Sequence, residues 1–195
     1  AASSALAAIT GAQTDRMTRD DGWQLLSIGR HVERLGFLSS ALDLAIEVGA
    51  FESTDDDVHN ADENSSHYAA LLSLFDSTIT FHAQHQQSRE LEPLIELLVL
   101  DDENPRSLAW VSKALRARLS KLAGTERNQP DELTKRVASL QDYSLENLCQ
   151  RDASGALYNL RNCFSNCSHS AWSVSDEISA RYFNLIHEID YRVQT

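Results

Sequence analysis

From Asp20 to about Glu47 the apolar residues fall at steps of three and four: Leu25, Ile28, Val32, Leu35, Leu42 and Ile46. That spacing predicts a helix with one buried stripe, capped at its start by Asp20 or Asp21 and ended at Gly49. Residues 50–66 then carry Asp55, Asp56, Asp57, Asp62 and Glu63 without any period, which predicts an exposed acidic loop. A second helix is predicted from about Ser66 to Arg89, with Tyr68, Leu71, Leu72, Phe75, Ile79 and His82 facing inward. Residues 93–100 are almost wholly apolar, and their leucine content favours a buried helix over a strand. Asn104 as N-cap and Pro105 at the first helical position open the next helix. It points Leu108, Val111, Leu115, Leu119 and Leu122 inward and stops at Gly124. Residues 124–143 read as a loop with a short helix near 131–138. The last helix begins near Ala153 and has the cleanest period, through Leu157, Leu160, Phe164, Cys167, Ala171, Val174 and Ile178. About five main helices with short connectors predict an all-α antiparallel helical bundle, a single domain over residues 1–195.

Composition narrows the partners. The chain has 195 residues, a net charge of −12 and few turn formers, with seven Gly and three Pro. A strongly acidic balance repels phosphate backbones and anionic headgroups, so neither nucleic acid nor a membrane surface is expected as a partner. No apolar run reaches the roughly 20 residues of a membrane span. Cys149, Cys163 and Cys167 form a sparse, odd set that fits reduced thiols in a cytoplasmic setting. The chain opens on Ala1-Ala2-Ser3-Ser4 without Met, as expected of a processed or excised polypeptide.

The densest polar cluster on a helix is Gly29-Arg30-His31-Val32-Glu33-Arg34. Arg30 and Arg34 are one turn apart with Glu33 beside them, a set able to hold an anion or to keep Glu33 as an acid or base. The plain alternative is an ion pair that fixes helix packing. Asn104-Pro105-Arg106-Ser107 opens a helix whose free N–H groups suit an anion, or is simply a good helix start with an exposed Arg106. Asp76 and Glu177 are the acidic candidates for the same site, Glu177 lying where the last helix can meet the arginines of the first. His82 and His85 are three apart, but no partner set completes a metal site, so neither metal nor cofactor is expected. Cys163 and Cys167 read as small buried residues on the apolar stripe. No phosphate-binding glycine loop, nucleophile elbow or paired-cysteine zinc site is present, which disfavours an autonomous enzyme.

Several of these segments together resemble the alpha-E family, bacterial helical domains of unknown function with a Glu-Arg motif. The resemblance rests on Met17-Thr18-Arg19, Gly22-Trp23, Gly29-Arg30 with Glu33-Arg34, Asp101 with Asn104-Pro105-Arg106-Ser107, and Ile178 with Tyr182-Phe183. An earlier Gly-Arg-x-x-Glu-Arg copy near the start of such domains has no match here, so the chain resembles their C-terminal part. Where many relatives are rich in Arg after the second helix's Asp, this chain has Thr80-Phe81-His82-Ala83-Gln84-His85. The resemblance implies a circularly permuted ATP-grasp protein or domain as partner, with transglutaminase-like proteins in the same systems. It implies an accessory role in forming or modifying peptide or amide bonds. A rival expectation is half of an active site, with Glu33 as acid or base and Arg30, Arg34 and Arg106 on an anionic substrate.

Overall fold

A computed structural model describes residues 17–51, 58–86, 88, 90–124 and 132–183, with the isolated residues 5 and 11. Among them there is helix and no strand. Helix α1 spans Asp21–Glu47, and the Asp20 carboxylate caps it by accepting from the Trp23 N–H at 2.9 Å. Helix α2 is Val58–Leu74 and α3 is Thr78–His85. Helix α4, Leu91–Ile95, runs straight into a π-helical turn, Glu96–Leu100. Helix α5 is Leu108–Leu122, the short α6 and α7 are Glu132–Lys135 and Leu145–Cys149, and α8 is Tyr158–Tyr182. All-α is therefore the fold class, with more helices than the expected five. No described helix is long and apolar enough to cross a membrane.

Helix α1 is the axis of the bundle, packed against α8 on one side and α5 on the other. On the α8 side, Arg161 meets Asp43 at 3.3 Å and Glu47 at 2.5 Å, and the Ser39 and Ser168 hydroxyls share a hydrogen bond of 2.8 Å. Rising position on α1 therefore meets falling position on α8, an antiparallel pair. All seven periodic positions of α8, from Leu157 to Ile178, are buried or cap its buried start. They join Ile28, Leu35 and Leu42 of α1 and Leu108, Val111 and Leu115 of α5 in one core. Cys163 and Cys167 belong to that core, as their place on the stripe predicts.

Four local expectations are corrected. The helix predicted to run unbroken from Ser66 to Arg89 breaks at residues 75–77. There the Ser77 N–H reaches the Leu72 carbonyl at 2.8 Å and the Asp76 N–H reaches Ser73 at 3.0 Å, closing a Schellman cap around Asp76 at φ 48°. The break resets the helical phase, so Phe81 is buried while Ile79 is 87% exposed and His82 is exposed. Helix α2 also starts at Val58, inside the stretch read as a loop over 50–66, which contains no Gly or Pro to forbid helix; residues 52–57 lie outside the described set. The last long helix begins at Tyr158 rather than Ala153, because the Asp152 carboxylate gathers the Ser154 and Ala156 N–H groups at 2.8 and 3.0 Å into a turn. Helix α5 begins after Ser107, whose hydroxyl accepts from the Trp110 N–H at 3.0 Å, and not after Asn104. Asn104 is spent one step earlier. Its Nδ2 donates to the Leu97 carbonyl at 2.9 Å, a group the π-turn leaves without a helical partner, and its Oδ1 accepts from the Arg106 N–H at 3.1 Å.

Candidate functional site

The register of α1 against α5 follows from three contacts. The Arg118 guanidinium lies 4.5 Å from the Trp23 ring centroid, His31 stacks on Trp110 at 6.0 Å and 28°, and Arg34 shares a hollow with Arg106. The two helices are thus antiparallel, and their outer seam is lined by arginines and aromatic rings in turn. Helix α5 carries Lys113, Arg116, Arg118 and Lys121 with no acidic residue in its 15 positions, and of these Arg118 lies against the Trp23 ring in the seam. On a chain of net charge −12 that is a strong local reversal of sign.

At the Trp23 end, Arg19 joins Arg118, its guanidinium 5.3 Å from the ring centroid. Trp23 itself is buried, and the face of its ring takes the two cations. In the middle, the His31 Nδ1 lies 2.6 Å from the Ser27 carbonyl, which can only accept. Nδ1 therefore carries the proton in the neutral ring and Nε2 is left as an acceptor. Burial pushes the His31 pKa below its ordinary value, and the Arg118, Arg34 and Arg30 cations push the same way against the opposing Ser27 bond. Because the folded pKa lies below the unfolded one, folding favours the neutral ring. That contribution is complete above the unfolded value of about 6.5 and is lost progressively as pH falls below it. Urea melts of His31→Gln beside the parent are expected to show a shallower loss of stability on acidification.

At the far end, Arg106 Nη2 pairs with Asp76 Oδ2 at 2.5 Å. Arg34, Phe37, Leu74 and Pro105 complete a hollow of 490 Å³ around them. Burial, then the Arg106 cation, lower the Arg34 pKa, with Asp76 opposing. The Asp76 side chain is 82% exposed, so its ion pair is worth at most about 1 kcal/mol. Its left-handed backbone offsets part of that. Asp76→Gly is expected to leave stability within about 0.5 kcal/mol of the parent, while Asp76→Ala, which lacks both glycine's freedom and the carboxylate, loses about 1–2 kcal/mol in a urea melt.

The sequence-predicted residues are divided rather than gathered. Arg34, Arg106 and Asp76 converge on the α1/α5 seam. Arg30 and the exposed Glu33 line a different hollow, 570 Å³, between α1 and Ser175 and Ile178 of α8 with Phe183 just beyond its end. Glu177, beside Ile178, ion-pairs with Arg181 at 2.7 Å and Arg136 at 3.4 Å. His82 and His85 do not act together: His82 Nδ1 engages the Gln86 carbonyl at 2.6 Å, while the His85 ring lies against Phe81. Among the described residues no group of three or more His, Cys, Asp or Glu is placed to hold a metal ion. Cys149 and Cys167 are poor nucleophiles, since burial lifts Cys149 to about 11 and a hydrogen bond with Cys163, then burial, lift Cys167 well above its ordinary value. Sequence reasoning missed the roles of His31, Trp110 and Arg118. Their pairing depends on the register between α1 and α5, which no local sequence signal carries.

A family model described as a predicted alpha-helical domain with a conserved ER motif matches residues 1–183. The chain belongs to the Alpha-E family. Glu-Arg occurs twice in it, at Glu33-Arg34 on α1 and at Glu126-Arg127 outside the described residues. Among curated proteins this Alpha-E chain is similar to the uncharacterized protein Rv2567 of Mycobacterium tuberculosis (strain ATCC 25618 / H37Rv), 24% identical over 182 residues. The uncharacterized protein Mb2597 of Mycobacterium bovis is similar to the same degree, 24% over 182 residues. The match takes in 91% of the chain but 19% of each relative, so the chain spans about a fifth of their length. No solved structure matches it.

Proposed function

We propose that this Alpha-E chain is an accessory helical module of an ATP-grasp-linked system that forms or modifies peptide or amide bonds. In this reading it acts by binding, and its α1/α5 seam receives an acidic surface or segment of the ATP-grasp partner or of its substrate. The observation that carries the reading is the run of arginines and stacked rings along that seam. Guanidiniums held over or beside aromatic faces are pre-oriented for carboxylates and lose little freedom on binding them. The mycobacterial relatives, about five times longer than the matched region, fit a module that works inside a larger polypeptide.

The rival reading, with Glu33 as acid or base on an anion held by Arg30, Arg34 and Arg106, keeps one point in its favour: Arg30 and Glu33 line the same hollow. It needs Arg34 and Arg106 to turn toward that hollow as well, and they belong to the opposite side of α1. Co-purification with a full-length ATP-grasp partner tests the binding reading. The parent is expected to be retained and the double variant Arg34→Glu/Arg106→Glu to be lost at moderate salt. Equal retention of parent and variant, or no retention of the parent, contradicts it.

A further inference from the structure

On the far side of α5 from the seam, a separate cavity of 230 Å³ is bounded by Ser112 and Arg116 of that helix, by Asp102 and Lys113, and by residues 138–141. Two groups in it are anomalous. Ser112 is 2% exposed, and its hydroxyl oxygen has no hydrogen-bond partner, although a serine within a helix ordinarily bonds the carbonyl four residues back. A buried hydroxyl left this way destabilises the fold. One turn further on, Arg116 is half-buried, and among the described residues no carboxylate is paired with it. Lys113, the other cation of the lining, is already held by Asp102 at 2.6 Å.

We propose that this cavity is a binding site for a small carboxylate, with the Arg116 guanidinium taking the carboxylate oxygens and the Ser112 hydroxyl donating a further hydrogen bond. The fork of a guanidinium matches a carboxylate in plane, and a hydroxyl one helical turn away lies on the same face. Arg116 and Lys113 against Asp102 leave a lining of one net positive charge, which suits a monoanion better than a phosphate dianion. The volume lies below the roughly 300–1,000 Å³ of sites for drug-sized ligands, so the ligand is a small acid or the terminal carboxylate of a chain. The site is independent of the seam and of any ATP-grasp partner.

The test is titration of the 195-residue chain with sodium acetate, followed by amide shifts of residues 138–141 and the Arg116 side-chain signal. Sodium chloride at equal ionic strength and sodium phosphate serve as parallel arms. Saturable shifts with acetate, weakened about 10-fold or more in Arg116→Gln, are the expected result. Ser112→Ala is expected to bind acetate more weakly and yet to melt at a higher temperature, because it removes an unsatisfied buried hydroxyl. A purely structural serine gives the opposite shift in melting. The proposal is overturned if acetate shifts match those of chloride, if phosphate saturates the site more tightly than acetate, or if Ser112→Ala lowers the melting temperature.

Discussion

Asn104→Ala is expected to destabilise the protein by about 2–4 kcal/mol in urea melts. The side chain is nearly buried, at 9% exposure, and it serves two backbone groups at once, the Leu97 carbonyl and the Arg106 N–H. Its removal orphans both, and each unsatisfied buried group costs about 1–3 kcal/mol. The same turn is held from two other sides. The Asp101 carboxylate accepts from the Glu103 and Asn104 N–H groups at 2.9 and 3.2 Å, and the Ser107 hydroxyl donates to the Asp101 carbonyl. These side chains fasten the end of the π-turn to the start of α5 and so place Arg106 opposite Asp76. Asn104→Asp keeps the acceptor for Arg106 and loses the donor for Leu97, so an intermediate loss is expected. If Asn104→Ala melts like the parent, the turn is not the scaffold argued for it.

The second large effect is expected where Gly36 of α1 faces Ala171 of α8. A Cβ added to Gly36 meets the Ala171 Cβ at 3.5 Å, ordinary van der Waals contact, so Gly36→Ala fits. It should stabilise by up to about 1 kcal/mol through helix propensity alone. Gly36→Leu has no room and must part the helices. That strains the neighbouring Ser39 hydroxyl, bonded to the Leu35 carbonyl at 2.6 Å and to Ser168, and a loss of about 1–3 kcal/mol is expected. Thermal melts of the two variants side by side check the opposite signs.

The parts of the fold legible in the sequence are those where one helix keeps one phase. The stripes of α1 and α8 are long and unbroken, so their buried positions follow from spacing alone. Ile79 and His82 were misplaced because Asp76 adopts a left-handed conformation that sequence usually signals with Gly or Asn, and the phase after it is new. The candidate site was legible in its residue types and not in its arrangement. Glu33 and Arg34 are adjacent in sequence, but adjacent helical residues point about 100° apart, which sends Glu33 toward α8 and Arg34 toward α5. The pairings of Trp23 with Arg118 and of His31 with Trp110 depend on the register between two distant helices, for which no local pattern exists.

The measurement that bears most directly on the proposed binding rather than catalytic role is ATP consumption by the proposed system, an ATP-grasp protein reconstituted with this chain, comparing the parent with Glu33→Gln. Glu33 is exposed and stands apart from Arg34, Arg106 and Asp76, so the exchange is expected to leave both the melt and ADP release within about twofold of the parent. Abolished ADP release with an unchanged melt would contradict the account and return Glu33 to the role of acid or base.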